Sequence, residues 1–144
     1  MIHGQATKTS QIIDSVTMTN TETASGTLDL LGADYAVISI NFSAELNTNG
    51  VGPTIALEES DDLTTYATFD GDFARSAETL VSAKQVRYDI DAKTRKRYLK
   101  LSITTATTTN DNITVGAIGV LGRLGEEPSN TTDMVATGDV AVIG

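Results

Sequence analysis

Strict alternation of apolar and polar residues constrains this chain more than any other feature. It is best developed in residues 97–122, RYLKLSITTATTTNDNITVGAIGVLG. Leu99, Leu101 and Ile103 share one parity while Tyr98, Lys100 and Ser102 share the other, which is the signature of a strand with one buried face. Ile113, Val115 and Ala117 then alternate with Thr114 and Gly116, and the run ends apolar on both parities through Ile118 and Val120. That ending predicts a central strand covered on both faces. The connecting residues 107–112 are all Thr, Asn and Asp, which bond their own backbone and favour turns, so a long hairpin is expected.

The same period recurs along the chain. Ile12, Val16 and Met18 mark a first strand within residues 11–19, and Leu28 and Leu30 a second within 27–31, after a polar turn at 19–26. Ile38, Ile40 and Phe42 define a third strand over 35–43. The segment NTNGVGP at 47–53 supplies the residues that free or fix φ, so it is a loop. Ile55 and Leu57 form the next strand, which ends in the turn ESDDL. Tyr66 and Phe69 precede an acidic turn at 70–72, and residues 73–84 read as a loop with at most a helical turn. Val86, Tyr88 and Ile90 restore the alternation before a turn at 91–94. About eight short strands result, separated by turn chemistry, which is the pattern of an antiparallel β-sandwich. Cysteine and tryptophan are both missing, so the Cys–Trp–Cys core of an immunoglobulin domain is not available and a jelly roll is the expected all-β architecture.

A chain of 144 residues is one domain, able to bury roughly 70% of its unfolded surface. The expected division is an N-terminal tail at 1–10, a sandwich at 11–122 and a C-terminal arm at 123–144. In the arm LGEEPSNTTDMVATGD has no sustained period, but residues 140–143 are apolar again, so the arm is expected to dock on its own domain or on a neighbouring subunit. The first residues have no apolar run of signal-peptide length, and no segment approaches a membrane span, which predicts a protein that is not exported by a cleaved signal and has no membrane partner.

Net charge is −9 and the isoelectric point about 4.4, which argues against nucleic acid as a partner. Five of the ten basic residues nevertheless cluster at Lys93, Arg95, Lys96, Arg97 and Lys100. They read as a solvated turn and strand face that discourages edge pairing, or as a contact patch for an acidic surface, with Lys96 and Arg97 as candidates.

Little in the sequence resembles catalytic chemistry. A cysteine nucleophile and a thiolate metal site are excluded, and the one histidine, His3, lies in the polar N-terminal tail. No glycine-rich phosphate loop occurs. Two carboxylate clusters remain, Glu58, Glu59, Asp61 and Asp62, and Asp70 with Asp72. Dense loop carboxylates can bind Ca²⁺ or, paired, serve glycoside hydrolysis, but their spacing is not that of an EF-hand, and the plain reading is solvated turn carboxylates that keep an edge soluble. The expectation is a protein that is not an enzyme and carries no cofactor or metal.

LEESDDLTTYATF from Leu57, followed by the arginine–tyrosine strand KRYLKLSITTATTTNDNITVGAIGVLG from Lys96, resembles small structural proteins encoded among the head genes of tailed bacteriophages. The resemblance covers roughly residues 26–122. It implies a capsid decoration, or cement, protein: a small jelly-roll β-sandwich sitting as a homotrimer on the capsid exterior of the virion, clamping neighbouring subunits of the major capsid protein after assembly in the host cytoplasm. The contacts it suggests for this chain are Lys96, Arg97, the N-terminal tail, and Met134, Val140, Val142 and Ile143 of the arm. Two other readings fit the same sandwich: a tail, fibre or head–tail connector module, and a Ca²⁺-assisted carbohydrate-binding module. Against the last stands the lack of tryptophan and an aromatic content of 5%, which leave little platform for sugar stacking.

Overall fold

The computed structural model describes residues 7–19, 21–43, 53–69, 84–105 and 112–122, and the backbone of 138–143. Its strands are β1 (Thr7–Met18), β2 (Thr23–Asp29), β3 (Tyr35–Phe42), β4 (Thr54–Ser60), β5 (Ala67–Thr68), β6 (Lys84–Asp91), β7 (Tyr98–Thr104), β8 (Ile113–Gly122) and β9 (Gly138–Ile143). Eight of them form two antiparallel sheets of four, β1-β8-β3-β6 and β2-β7-β4-β5, and β9 extends the first in parallel along β6. The chain is therefore a jelly-roll-like β-sandwich, as the alternation predicts.

The inward parities of the two sheets meet in one core. Ile38, Ile40, Val86, Tyr88, Ile90, Ile113 and Val115 come from one sheet, and Leu28, Ile55, Leu57, Leu99, Leu101 and Ile103 from the other, all nearly or completely buried. Withdrawing such side chains from water contributes about 1.5–3 kcal/mol each, which is what holds the layers together. The core residues of residues 97–122 are those expected.

Their pairing is different. The strands β7 and β8 are not a hairpin: β7 lies between β2 and β4, and β8 lies between β1 and β3 in the opposite sheet. Both are interior strands, and they belong to opposite sheets. The eight residues separating these strands are enough for an arch between layers, whereas only a short turn of defined type would force them to pair. The second expectation for β8 also fails, because only one face is buried: Ile118 is 36% exposed, and Thr114, Gly116 and Val120 are half-buried on the outer side.

Strand β1 begins at Thr7, inside the expected tail, and its register against β8 shifts twice, between Gln11 and Ile13 and between Ile13 and Val16. Each bulge inserts one extra residue and breaks the simple parity. Ile13 is consequently buried beside Ile12, while Val16, on this edge strand, stays 39% exposed. Strand β2 starts at Thr23, so the polar turn before it is shorter than expected. The one helical piece among the described residues is a 3₁₀ turn at Ala92–Thr94, whose first amides are capped by Asp91: its carboxylate accepts from the Lys93 N–H at 3.0 Å. The expectations for His3, Asp70, Asp72, residues 73–83, most of the 107–112 connection and Met134 lie outside the described residues.

Candidate functional site

The registers bring one set of turns to one end of the sandwich. Tyr98, the first residue of β7, is opposite Asp29 on one side and Ser60 on the other. The β2–β3, β4–β5 and β6–β7 turns therefore emerge together. Arg97 joins them. Its guanidinium donates to both carboxylate oxygens of Asp29, at 3.0 and 2.9 Å, its N–H donates to Asp61 at 3.3 Å, and its carbonyl accepts from the Leu30 N–H at 2.7 Å. The Ala92 N–H adds a bond to the Asp34 carbonyl at 3.0 Å. The forked pairing with Arg97, first, and the Leu31 N–H, next among the favourable contacts, hold the Asp29 carboxyl below its ordinary range.

The carboxylates of 58–62 are used within this arrangement. Glu58 pairs with Lys100 at 3.2 Å, and Glu59 accepts from the Lys96 N–H at 3.3 Å. Asp62 accepts from the backbone N–H groups of Thr65 and Thr64 at 2.7 and 2.8 Å and from the Ser60 hydroxyl at 2.9 Å, which together hold its carboxyl well below the usual carboxylate range. Ser60 is fully buried, and its hydroxyl oxygen also accepts from the amides of Asp62 and Leu63. This closed turn places Leu63 at φ 63°. Among the described residues, no three His, Cys, Asp or Glu side chains gather as metal ligands do.

The basic cluster divides accordingly. Arg97 and Lys100 are matched by Asp29 and Glu58 and lie over the rings of Tyr98 and Tyr66, at 4.7 and 4.9 Å. Arg95 stacks on Phe69 at 4.1 Å with its Nε buried and without a hydrogen-bond partner. The predicted contact Arg97 is thus a staple between turns, whereas Lys96 and Lys93 carry side-chain ammonium groups that no carboxylate of the described residues matches. The sequence marks Arg95 only as one of the basic cluster, and neither Leu31 nor Leu63 stands out in it. Leu31 had a usable signal, since a parity that buries Leu30 must turn its neighbour outward; Leu63 had none.

Two features lie on the outer face of the five-stranded sheet. The Tyr35 hydroxyl donates to Asp89 at 2.7 Å, and Arg87 donates to the same oxygen from Nε and Nη2 at 3.1 and 3.0 Å. Asp89 is 3% exposed, and its other oxygen has no partner. Farther along, an open 340 Å³ depression is lined by Ser15, Asn41, Phe42, Ser43, Thr114, Val115 and Gly116. The backbone of β9 borders this sheet, with Val140, Val142 and Ile143 opposite Arg87, Asp89 and Ile90. The arm expected to dock therefore contributes a strand to its own domain.

No protein-family model matches the chain, and no curated protein matches it. Solved structures do. The enzymatically active domain of tailspike protein 4 from bacteriophage CBA120 superimposes with a TM-score of 0.52 at 8% identity, over 81% of this chain and 19% of that one. A structure of infectious bursal disease virus, Gt strain, gives 0.52 at 13% identity, over 85% and 34%. A CBM4 carbohydrate-binding module gives 0.50 at 13% identity, over 81% and 71%. This chain spans only a fifth to a third of the first two, and at such identities the likeness is one of fold: a β-sandwich used within viral and carbohydrate-binding proteins alike.

Proposed function

We propose that the chain is a non-enzymatic virion structural protein: a capsid decoration protein of a tailed bacteriophage, binding as a homotrimer to the exterior of the major capsid lattice and stabilising it. The observation that carries this reading is the use made of the C-terminal segment. After Gly122 the chain runs 15 residues and returns as β9, a strand added in parallel to the edge of β6. Strand addition by a terminal arm provides main-chain hydrogen bonds with a defined register, and an edge extended in this way suits attachment to a repeating lattice, where many weak contacts act together. The matched charges at the turn end and the likeness of fold to viral proteins accord with a mechanical role. Particles carrying the protein should rupture at a higher temperature than particles lacking it, and removal of residues 138–144 should weaken attachment. Equal rupture temperatures would remove the stabilising role.

The depression on the outer sheet face, part polar and part apolar in its lining, favours a second reading, a carbohydrate-binding module. Hydroxyl and amide groups of Ser15, Asn41, Ser43 and Thr114 suit sugar hydroxyls, and the CBM4 fold is similar in size. A glycan array separates the two: saturable binding abolished by Asn41→Ala selects the module, and silence across the array removes it.

A further inference from the structure

Gly26 of β2 and Gly119 of β8 are accounted for by packing: a Cβ at Gly26 would stand 1.8 Å from the Ile12 carbonyl oxygen, and one at Gly119 2.9 Å from the Leu28 methyl carbons. Gly116 of β8 is different. The nearest atom to a Cβ there is the Ser15 Cα at 3.7 Å, an ordinary contact, and its backbone is not left-handed, so neither packing nor conformation asks for glycine. Glycine loses more freedom on folding than any other residue. Inside a strand it often marks a place that a ligand or another backbone approaches closely.

The neighbouring strands shape the same spot. Strand β1 runs from Ile13 to Val16 while β8 runs only from Ala117 to Val115, so the extra residue of the bulge falls opposite Gly116. On the other side Asn41 of β3 stands directly opposite Gly116. The open 340 Å³ depression lies here, with Gly116 between Ser15 and Asn41. Both flanking residues are exposed, and among the described residues no hydrogen bond engages the Ser15 hydroxyl or the Asn41 amide side chain. None of the lining residues is ionisable, although the chain carries a net charge of −9. The lining therefore offers an anion no cation and a cation no carboxylate.

We propose that Gly116 keeps this depression open for a neutral sugar, one or two pyranose rings that seat against the glycine backbone and exchange hydrogen bonds with the Asn41 amide and the Ser15 hydroxyl. This rests on the carbohydrate-binding reading and gives that site its floor and its ligand class. An amide that donates and accepts at adjacent atoms matches neighbouring ring hydroxyls, each of which does both. The volume is near the lower end of the range for small-molecule sites, about 300–1,000 Å³, which suits one or two rings. Acidic glycans are disfavoured by the charge of the whole chain.

The test is calorimetric titration of the full-length protein with the neutral glycan that gives the strongest signal on an array, for wild type, Gly116→Ala and Gly116→Val, with thermal melting run alongside. Gly116→Ala should melt at the wild-type temperature or above, since its Cβ has room and the unfolded chain loses freedom. It should bind at least about tenfold more weakly, because the methyl group takes space the sugar needs. Gly116→Val should lose binding altogether, and if it does not melt cooperatively the alanine variant decides. Wild-type affinity in folded Gly116→Ala would overturn the role of Gly116 and leave the carbohydrate-binding reading standing on Asn41→Ala. Silence of the wild type across the array would overturn both. Binding confined to sialylated or uronic-acid glycans would overturn the neutral ligand class.

Discussion

Gly26 of β2 lies so close to Ile12 of β1 that a Cβ at position 26 would stand 1.8 Å from the Ile12 carbonyl oxygen. The obstacle is backbone, at the bulge that brings the edge strands of the two sheets together, so it cannot swing aside as a side chain could. Gly26→Ala must separate β1 from β2. It should cost about 1–3 kcal/mol or more, read as a lower denaturant midpoint. Gly116→Ala is the matched control: its nearest neighbour is 3.7 Å away, and the reduced freedom of the unfolded chain should leave stability unchanged or slightly raised. Equal midpoints for wild type and Gly26→Ala would refute the close approach.

The Asp29–Arg97 pair makes a prediction about acid. The folded-state pKa of Asp29 is depressed, chiefly by the Arg97 hydrogen bonds, so the unfolded chain takes up the proton first. The pair's stabilisation is therefore present above the ordinary value of 3.8 and is lost as pH falls below it, toward the lower folded value. Urea midpoints measured from about pH 5 down to about pH 2 should fall less steeply for Arg97→Gln than for wild type. Parallel slopes would show that Arg97 does not tune Asp29.

Much of the core could be read directly, because burial on one face imposes period two and Leu99, Leu101, Ile103, Ile113 and Val115 obey it. What period two does not encode is which sheet a strand joins: β7 and β8 alternate as a hairpin would, yet they lie in opposite layers. Nor does it mark a bulge, so the second buried isoleucine at position 13 and the exposure of Val16 had no compositional sign. The turn end was legible only as a charge cluster. Its organising bond joins Arg97 to a carboxylate 68 residues earlier, and only the common register on Tyr98 brings them together.

Tyr35 should report on the buried carboxylate beside it. Burial first, and the hydrogen bond to Asp89 second, push its hydroxyl up to about 12 from the ordinary 10.0. The folded state then keeps a proton that the unfolded state releases, so the contribution is present below pH 10 and stability falls as pH rises from about 10 to about 12. Tyr35→Phe should remove that component of the alkaline loss. It should also cost about 1.5–3 kcal/mol at neutral pH, because Asp89 loses a donor it cannot replace from water. Ultraviolet titration of the phenolate, wild type against Tyr35→Phe, identifies the late-titrating group. A missing component near pH 10 would contradict the assignment.

Leu28 and Gly119 are coupled across the core, and a double-mutant cycle should measure it. Gly119 faces inward from β8 beneath Leu28, and an added Cβ would lie 2.9 Å from both Leu28 methyl carbons and 3.1 Å from the Ile12 Cδ1. Gly119→Ala alone overpacks the site, at a cost of about 1–3 kcal/mol, moderated if Leu28 can change rotamer. Leu28→Ala alone opens a cavity beneath a side chain that is 1% exposed, at about 2–5 kcal/mol. In the double variant the new methyl group occupies part of the space Leu28 vacated. Its destabilisation should therefore be smaller than the sum of the singles by about 0.5–3 kcal/mol. Strict additivity in chemical denaturation would mean that Gly119 is free of Leu28, and that a rotamer change, not the cavity, accommodates the methyl.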